Sequence, residues 1–295
     1  MTKIEWTNET WNVITGCTKY SEGCLNCYAE KMHKRLTGMG QEKYKKPFNK
    51  VVFHLDSVFK HDFSRLNKKG KLIFVNSMSD TFHKNISDNE IKVIIDECEW
   101  NAPHTFQILT KRAERLPDFK YPDNVWLGVT VEMAKYKTRM DYLEKTNAKI
   151  KFLSCEPLLE DLGDLDLSGI DWVIVGGESG AKARPMHPDW VRNIQRQCEA
   201  QKVPFFFKQW GEWKPIQSNA KCRPSDFSTK IIILNDGSII DGIFPKEVKE
   251  FEAKTGKDVG TLKGKIVSKL GKQKAGAVLD GREYKEMPRN IRSEK

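Results

Sequence analysis

Short runs of apolar and β-branched residues recur along the chain, each followed by a polar stretch. Most of the runs are continuous rather than alternating, which is typical of strands that are buried on both faces of a sheet. The pattern predicts eight strands, or six if the first two runs stay outside the sheet. The runs lie at residues 11–15, 51–55, 72–75, 106–109, 125–131, 150–153, 172–175 and 204–207.

Helical periodicity separates several of these runs, at residues 88–99, 135–145 and 188–200. Ser87 precedes the first of these segments as a candidate N-cap, and Pro188 opens the third at a first-turn position. Strands that alternate with helices form parallel βα units. We therefore predict an α/β fold, a TIM-like (β/α) barrel that is partial or complete and has six to eight parallel strands.

The pattern changes after Trp213. Two apolar runs, residues 231–234 and 238–244, flank the sequence Asn-Asp-Gly at residues 235–237, which is a typical hairpin turn. Residues 214–230 hold polar loop signals, and residues 263–279 have the pattern of a basic helix.

This change of pattern predicts two domains. Residues 1–213 would form the barrel, and residues 214–295 would form a small C-terminal α+β appendage that is packed on it. The appendage would contain the hairpin and the basic helix.

Composition limits the class of protein. At 295 residues with 39% hydrophobic content, the chain is long enough for one large barrel or two ordinary domains. No run approaches the roughly 18 apolar residues of a membrane helix, and the N-terminus lacks the apolar core of a signal peptide. Seven unevenly placed cysteines argue against a secreted disulfide framework. We predict a cytoplasmic protein with no membrane partner.

The net charge is +10, and residues 218–295 hold 17 Lys and Arg against 11 Asp and Glu. Such an excess favours contact with a polyanion such as nucleic acid. Acidic residues are interleaved with the basic ones, however, which is also typical of a plain solvated surface. Both interpretations stay open at this point.

Three cysteines lie close together near the start of the chain, with the spacing C-x6-C-x2-C. They are Cys17, Cys24 and Cys27, and no fourth cysteine or histidine stands nearby at ligand spacing. Three thiolates leave one coordination site of a metal centre open, as a catalytic centre requires. The spacing favours a 4Fe-4S cluster over zinc, which is usually held by two separated ligand pairs. A non-catalytic, zinc-stapled nucleic-acid-binding protein is the alternative.

Polar residues follow nearly every predicted strand. In a βα barrel these strand ends converge on one rim, where the chemistry is found. Gly176 and Gly177 belong to a glycine-rich stretch that can offer backbone N–H groups to a carboxylate or phosphate. The candidate catalytic residues among the strand ends are Cys155, Glu156 and Lys208.

With these motifs, the chain resembles a phage- and prophage-associated family of the radical-SAM superfamily, often described only as a phage protein of unknown function. The family is similar to spore photoproduct lyase and to a queuine lyase that breaks a C–N bond in a modified base. The matching motifs are Ile4-Glu5-Trp6-Thr7, Trp11-Asn12 and residues 16–30, 75–80, 109–112, 125–128, 153–157, 175–180, 184–190 and 204–211.

The resemblance implies a 4Fe-4S cluster on Cys17, Cys24 and Cys27, with S-adenosylmethionine (SAM) on the open iron. SAM would be cleaved reductively to a radical that abstracts hydrogen from a substrate. The resemblance and the basic charge together favour a nucleobase, nucleoside or nucleic acid as substrate, and the superfamily requires an electron donor such as flavodoxin or ferredoxin.

The first gap between the cysteines is six residues rather than the three usual in the superfamily. Asn26 stands where an aromatic residue usually contacts the adenine, and Tyr28 would take over that contact.

SAM carries an ammonium, a carboxylate and hydroxyl groups, so its pocket needs acceptors and donors. We assign Glu132 and Glu178 as hydrogen-bond acceptors for SAM, Ser77 and Asp80 as further polar contacts, and Lys111 as a donor. Gly176 and Gly177 complete the set of predicted SAM-binding residues at the strand ends.

Overall fold

The computed structural model describes residues 4–66, 70–216 and 230–288. Fifteen strands are present in these ranges: β1 (Glu9–Trp11), β2 (Ile14–Thr15), β3 (Val52–Phe53), β4 (Leu72–Val75), β5 (Thr105–Thr110), β6 (Val125–Thr130), β7 (Ile150–Cys155), β8 (Trp172–Gly176), β9 (Phe205–Gln209), β10 (Trp213–Pro215), β11 (Lys230–Ile233), β12 (Ile239–Ile240), β13 (Lys265–Lys269), β14 (Val278–Leu279) and β15 (Arg282–Glu283). The α-helices of the same ranges are α1 (Tyr28–Gly38), α2 (Leu55–Phe59), α3 (Asp88–Trp100), α4 (Thr138–Glu144), α5 (Pro188–Ala200), α6 (Pro245–Thr255) and α7 (Lys272–Ala275).

Seven strands form one parallel sheet in the order β1-β4-β5-β6-β7-β8-β9. Six of them, β4 to β9, stand where the apolar runs predicted strands, and helices α3, α4 and α5 lie between them in the chain. The predicted fold class, an α/β protein with the architecture of a partial (β/α) barrel, is confirmed.

The first two predicted strands need correction. The run at residues 11–15 divides into β1, which pairs with β4 in the parallel sheet, and β2, which pairs antiparallel with β3 outside it. Between β1 and β2, the backbone N–H groups of Val13 and Ile14 donate to the side-chain oxygen of Asn76 at 2.9 and 3.0 Å. A side chain therefore takes the hydrogen bonds that a neighbouring strand would otherwise accept, and the strand is interrupted.

The chain divides into two compact units. Unit 1 comprises Met1–Val131, Lys137–Ser154 and Gly169–Trp172, and unit 2 comprises Glu132–Tyr136, Cys155–Ser168 and Val173–Lys295. The predicted boundary after Trp213 stays a prediction.

In unit 1, the core forms where helix α3 covers the parallel strands. Ser87 caps α3 reciprocally with Glu90, as the sequence predicted for its N-terminus. Ile91, Ile94 and Ile95 of this helix are buried. Burying one such side chain contributes about 1.5–3 kcal/mol, so this face holds the helix in place.

In unit 2, helix α5 and the predicted hairpin are both confirmed. Strands β11 and β12 pair antiparallel around residues 235–237, with Ile232 opposite Ile240. The indole N–H of Trp190 on α5 donates to the Asn235 carbonyl at 2.8 Å. This bond fixes the hairpin turn to the helix. Strands β10, β13, β11 and β12 form a four-stranded sheet.

The predicted basic helix over residues 263–279 is wrong, because this stretch forms β13, α7 and β14 instead. Strand β13 pairs antiparallel with β11 and with β10. Gly271 and Gly276 have φ of +82° and +68°, a left-handed backbone that ends regular helix. Two glycines and a partner strand therefore outweigh the helical propensity of the lysines. Most of the loop predicted at residues 214–230 lies outside the described residues.

No helix in the described parts of the chain is long and apolar enough to cross a membrane.

Candidate active site

The cysteine loop, residues 16–30, lies in unit 1. Cys17, Cys24 and Cys27 are half-buried free thiols. Cys24 ends a short 3-10 turn, and Cys27 is the N-cap residue of α1. Gly16 has φ of +79°, and a Cβ there would lie 2.4 Å from the Lys50 carbonyl oxygen. Only glycine lets the loop start at this close approach of two backbones.

The end of β4 holds the residues that lead into the loop. Asn76 follows β4 with φ of 60°, and its amide nitrogen donates to the Thr81 hydroxyl at 2.9 Å while its oxygen binds Val13 and Ile14. Asn12 in turn accepts from the Ser77 hydroxyl at 3.0 Å. The polar residues after β4 therefore shape the chain that precedes Cys17.

A buried ion pair joins the ends of β4 and β5. Arg112 Nη1 donates to Asp80 Oδ2 at 2.9 Å, and both side chains are only 9% exposed. Asp80 Oδ1 also accepts from the Thr110 hydroxyl at 2.7 Å. The guanidinium continues to the cysteine loop, where it donates to the Thr18 carbonyl at 2.9 Å and lies 3.9 Å from Cys17 Sγ. Arg112 therefore connects the sheet to the first cysteine.

The Cys17 thiol is electrostatically linked to its surroundings. The pKa of Cys17 is raised to about 12, mainly by burial and to a lesser extent by the Asp80 carboxylate and the Cys24 thiol, while the Arg112 guanidinium opposes the shift. The thiolate is the form that binds metal, so a metal must displace this proton. Arg112 is placed to stabilise the negative charge that remains.

Tyr20 extends this arrangement. The guanidinium groups of Arg112 and Arg139 both lie over its ring, at 4.8 and 5.5 Å from the ring centroid. Its hydroxyl donates to Glu114 Oε1 at 2.6 Å. These cation–π contacts stabilise the part of the loop between Cys17 and Cys24.

Sequence reasoning missed the part played by Arg112 and Tyr20. It selected Lys111, whose backbone N–H donates to Asp80 at 3.3 Å, while the side chain that reaches the loop belongs to the next residue. The run Thr-Lys-Arg after β5 was the available signal for Arg112. No local pattern signals Tyr20.

The remaining predicted contacts of unit 1 also border the loop. The Tyr28 hydroxyl donates to the backbone carbonyl of Ser77, and the Ser77 hydroxyl donates to Asn12. Unit 1 therefore brings the three cysteines together with Tyr28, Ser77, Asp80 and Lys111. Their roles toward SAM stay predictions.

Unit 2 holds a second set of predicted residues, centred on an ion pair. Lys208 Nζ lies 3.1 Å from Glu156 Oε1, and both side chains are mostly but not fully buried. Glu156 follows β7, and Lys208 lies near the end of β9. A Cβ on Gly176 would lie 2.3 Å from Glu156 Oε1, so the glycine makes room for the carboxylate.

Gly177 and Glu178 pack against the chain that follows β9. A Cβ on Gly177 would lie 2.0 Å from the Trp210 carbonyl oxygen. Glu178 accepts from Arg184 through both carboxylate oxygens, at 2.6 Å from Nη2 and 3.0 Å from Nε. Arg184 is a partner that sequence reasoning did not select. The predicted role of Glu178 toward SAM stays a prediction.

Cys155 and Glu132 are the most deeply buried candidates of unit 2. Burial raises the pKa of the Cys155 thiol well above its usual value, and nearby Cys198, Glu156 and Glu132 raise it further. The Cys155 thiol is therefore protonated at neutral pH. Its predicted catalytic role stays a prediction.

Among the described residues, no group of three or more His, Cys, Asp or Glu side chains converges on the position of a single metal ion. A cubane cluster does not need such convergence, because each thiolate binds a different iron atom. Three thiols without histidine or carboxylate partners are the soft donor set that iron–sulfur clusters use. By this chemistry, Cys17, Cys24 and Cys27 fit a 4Fe-4S cluster.

Comparison with known proteins shows which family this chain belongs to. No curated protein matches this sequence. A solved structure titled "Spore photoproduct lyase complexed with dinucleoside spore photoproduct" is similar at a TM-score of 0.38 and 12% identity, covering 85% of this chain and 72% of that one. A likeness at this level carries no functional argument. A family model described as "Protein of unknown function (DUF5131)" matches residues 1–288, and the chain therefore belongs to this family.

Proposed function

We propose that this chain is a radical-SAM enzyme whose 4Fe-4S cluster is held by Cys17, Cys24 and Cys27. One observation carries the proposal: three half-buried thiols lie on one loop, and the loop is hydrogen-bonded to residues that follow the parallel strands β4 and β5. Active sites of (β/α) barrels lie at these strand ends. A three-thiolate centre there keeps a coordination site for a cofactor.

The chain's own residues prepare this loop for a metal. Arg112 places a positive charge beside Cys17, and Asp80 fixes the orientation of that guanidinium. Asn76 and Asn12 set the course of the chain before the loop. A 4Fe-4S cluster held by the three cysteines would supply the one-electron reduction on which radical chemistry with SAM depends.

The Glu156–Lys208 pair of unit 2 is the proposed acid–base element. The two groups lie 3.1 Å apart, so a proton can pass directly from one to the other. Glu156 follows β7, and Lys208 is the penultimate residue of β9.

The proposed substrate is a nucleobase, nucleoside or nucleic acid. The family resemblance and the net charge of +10 support this class. The lysines of the predicted basic helix do not share one element, because Lys265 and Lys269 lie in β13 while Lys272 and Lys274 lie in α7. Lys269 Nζ also donates to the Ala181 carbonyl at 2.6 Å, which occupies one of them. Residues 263–274 therefore give less support to a contact with nucleic acid than the predicted basic helix did.

The decisive experiment is anaerobic purification followed by metal analysis and a SAM cleavage assay. We expect a brown protein with about four iron atoms per chain and a broad absorbance band at about 400 nm. With dithionite as reductant, it should convert SAM to 5′-deoxyadenosine, at a rate that rises with the correct substrate. A colourless protein with stoichiometric zinc would overturn the proposal and favour the zinc-stapled nucleic-acid-binding protein.

A further inference from the structure

Helix α1 has a buried face, and exposed apolar side chains lie on it and at both of its ends. Ala29 and His33 point into a small core with Tyr44 and Met78. Met32 on the same helix and Met39, its C-cap residue, are 39% and 63% exposed. Leu25, in the turn before the helix, is 59% exposed. Exposed apolar side chains that lie close together in this way are typical of an interaction site.

These three apolar residues lie within a basic part of the chain. Residues 19–50 contain eight Lys and Arg against three Asp and Glu, which is half of the net charge of +10. Lys31 and Arg35 are exposed on α1 beside Met32. One of the three acids, Glu30, is paired with both Lys19 and Lys34. An apolar centre with a basic rim is complementary to a partner with an apolar centre and an acidic rim.

The surface is continuous with the cysteine loop. Leu25 stands between Cys24 and Cys27 in the chain, and Cys27 is the N-cap residue of the helix that carries Met32. A partner seated on α1 therefore lies against the segment that carries the thiols.

We propose that this surface, formed by Leu25, Met32 and Met39 with Lys31 and Arg35, docks an acidic electron-carrier protein. The inference rests on the proposed function, because a reductively activated metal centre needs a one-electron donor. In the docked pair, one electron leaves the carrier's reduced cofactor, which is oxidised, and enters the centre held by the cysteines, which is reduced. No bond forms or breaks in this step. Leucine and methionine at the centre favour a protein over a nucleic acid, which is bound through cations and flat aromatic rings.

Binding is tested with flavodoxin, an acidic flavin protein, on the chain both with and without reconstituted iron. We expect Lys31→Glu/Arg35→Glu to weaken flavodoxin binding about tenfold or more at low salt and to flatten its salt dependence. Met32→Ser should weaken binding with the salt dependence retained. The matched control is Lys249→Glu/Lys254→Glu, which makes the same charge change at exposed positions of α6 and should bind like wild type.

An activity assay separates the two proposals. Lys31→Glu/Arg35→Glu should lose 5′-deoxyadenosine formation with reduced flavodoxin and keep it with dithionite. If wild type binds flavodoxin but forms no product with dithionite, the proposed function fails while the docking surface stands. Undetectable flavodoxin binding, equal binding by wild type and Lys31→Glu/Arg35→Glu, or an equal loss in the α6 control overturns the docking surface. Loss of oligonucleotide binding alone in Lys31→Glu/Arg35→Glu overturns it as well, in favour of a nucleic-acid contact.

Discussion

Arg112 Nη1 lies 2.9 Å from Asp80 Oδ2, and the two buried side chains join the ends of strands β4 and β5. The same guanidinium reaches the Thr18 carbonyl and the Cys17 thiol. One ion pair therefore links the parallel sheet of unit 1 to the loop that carries the three cysteines.

The first prediction concerns the strength of this pair. Asp80→Ala leaves the Arg112 charge buried without its carboxylate, and we expect a loss of about 3–5 kcal/mol in the free energy of unfolding. Chemical denaturation measures this loss. The control is Asp56→Ala, which breaks the exposed Asp56–Lys60 pair and should leave the unfolding curve nearly unchanged. Equal effects of both substitutions would show that the buried pair has no special role.

The second prediction concerns the metal. Cys17→Ala, Cys24→Ala and Cys27→Ala should each lose the cluster and keep the fold, because these thiols lie on a loop rather than in the main core. Iron per chain after anaerobic reconstitution, together with circular dichroism, measures both effects. Cys98→Ala and Cys198→Ala change buried cysteines and should retain the iron. Full iron stoichiometry in Cys24→Ala would refute the assignment.

The third prediction concerns the close packing of Gly177. A methyl group there would lie 2.0 Å from the Trp210 carbonyl oxygen, and the backbone cannot move as a side chain can. Gly177→Ala should therefore cost about 1–3 kcal/mol of stability. Gly38→Ala adds the same methyl group in α1, where nothing lies within 4 Å, and should cause no loss. Thermal unfolding of both variants tests the difference, and a stable Gly177→Ala protein would contradict it.

The fourth prediction concerns SAM. If Glu132 and Glu178 accept hydrogen bonds from the cofactor, Glu178→Gln should weaken SAM binding by about 1.5–3 kcal/mol. Calorimetry on the reconstituted protein measures the affinity. Glu199→Gln changes an exposed carboxylate of α5 that accepts a hydrogen bond from Gln195 in its own helix, and serves as the control. Unchanged affinity in both Glu132→Gln and Glu178→Gln would place the SAM pocket elsewhere, and the Glu178–Arg184 pair would then be purely structural.

The fifth prediction concerns pH. Burial lowers the pKa of His187 below its usual value of 6.5, while its hydrogen bond to the Lys263 carbonyl opposes this shift. The unfolded chain therefore binds a proton more readily than the folded one as the pH falls below 6.5. The contribution of neutral His187 to stability is complete above pH 6.5 and is lost as the pH falls toward the folded pKa.

We expect the melting temperature of wild type to fall between pH 7.5 and pH 5.5, about one unit on either side of the usual histidine pKa. His187→Asn keeps a side chain able to cap α5 and should show a smaller fall. An identical pH dependence in both proteins would exclude His187 as a source of acid sensitivity.

Local pattern alone determined much of the fold. Continuous apolar runs predicted strands β4 to β9, Ser87 predicted the start of α3, and the sequence Asn-Asp-Gly predicted the hairpin of β11 and β12. Each of these features depends on residues that are neighbours in the chain. The cysteine spacing likewise identified the candidate metal ligands without any tertiary information.

Tertiary structure decided the features that depend on distant partners. Asn76 interrupts the first predicted strand from 63 residues away, and β13 becomes a strand because β10 and β11 lie beside it. Arg112 reaches Cys17 across 95 residues of sequence, so spacing pointed no more to it than to Lys111. Hydrogen bonds and ion pairs of this kind form only when separate strands come together in the folded protein. Their energy then outweighs the local conformational preferences of the sequence.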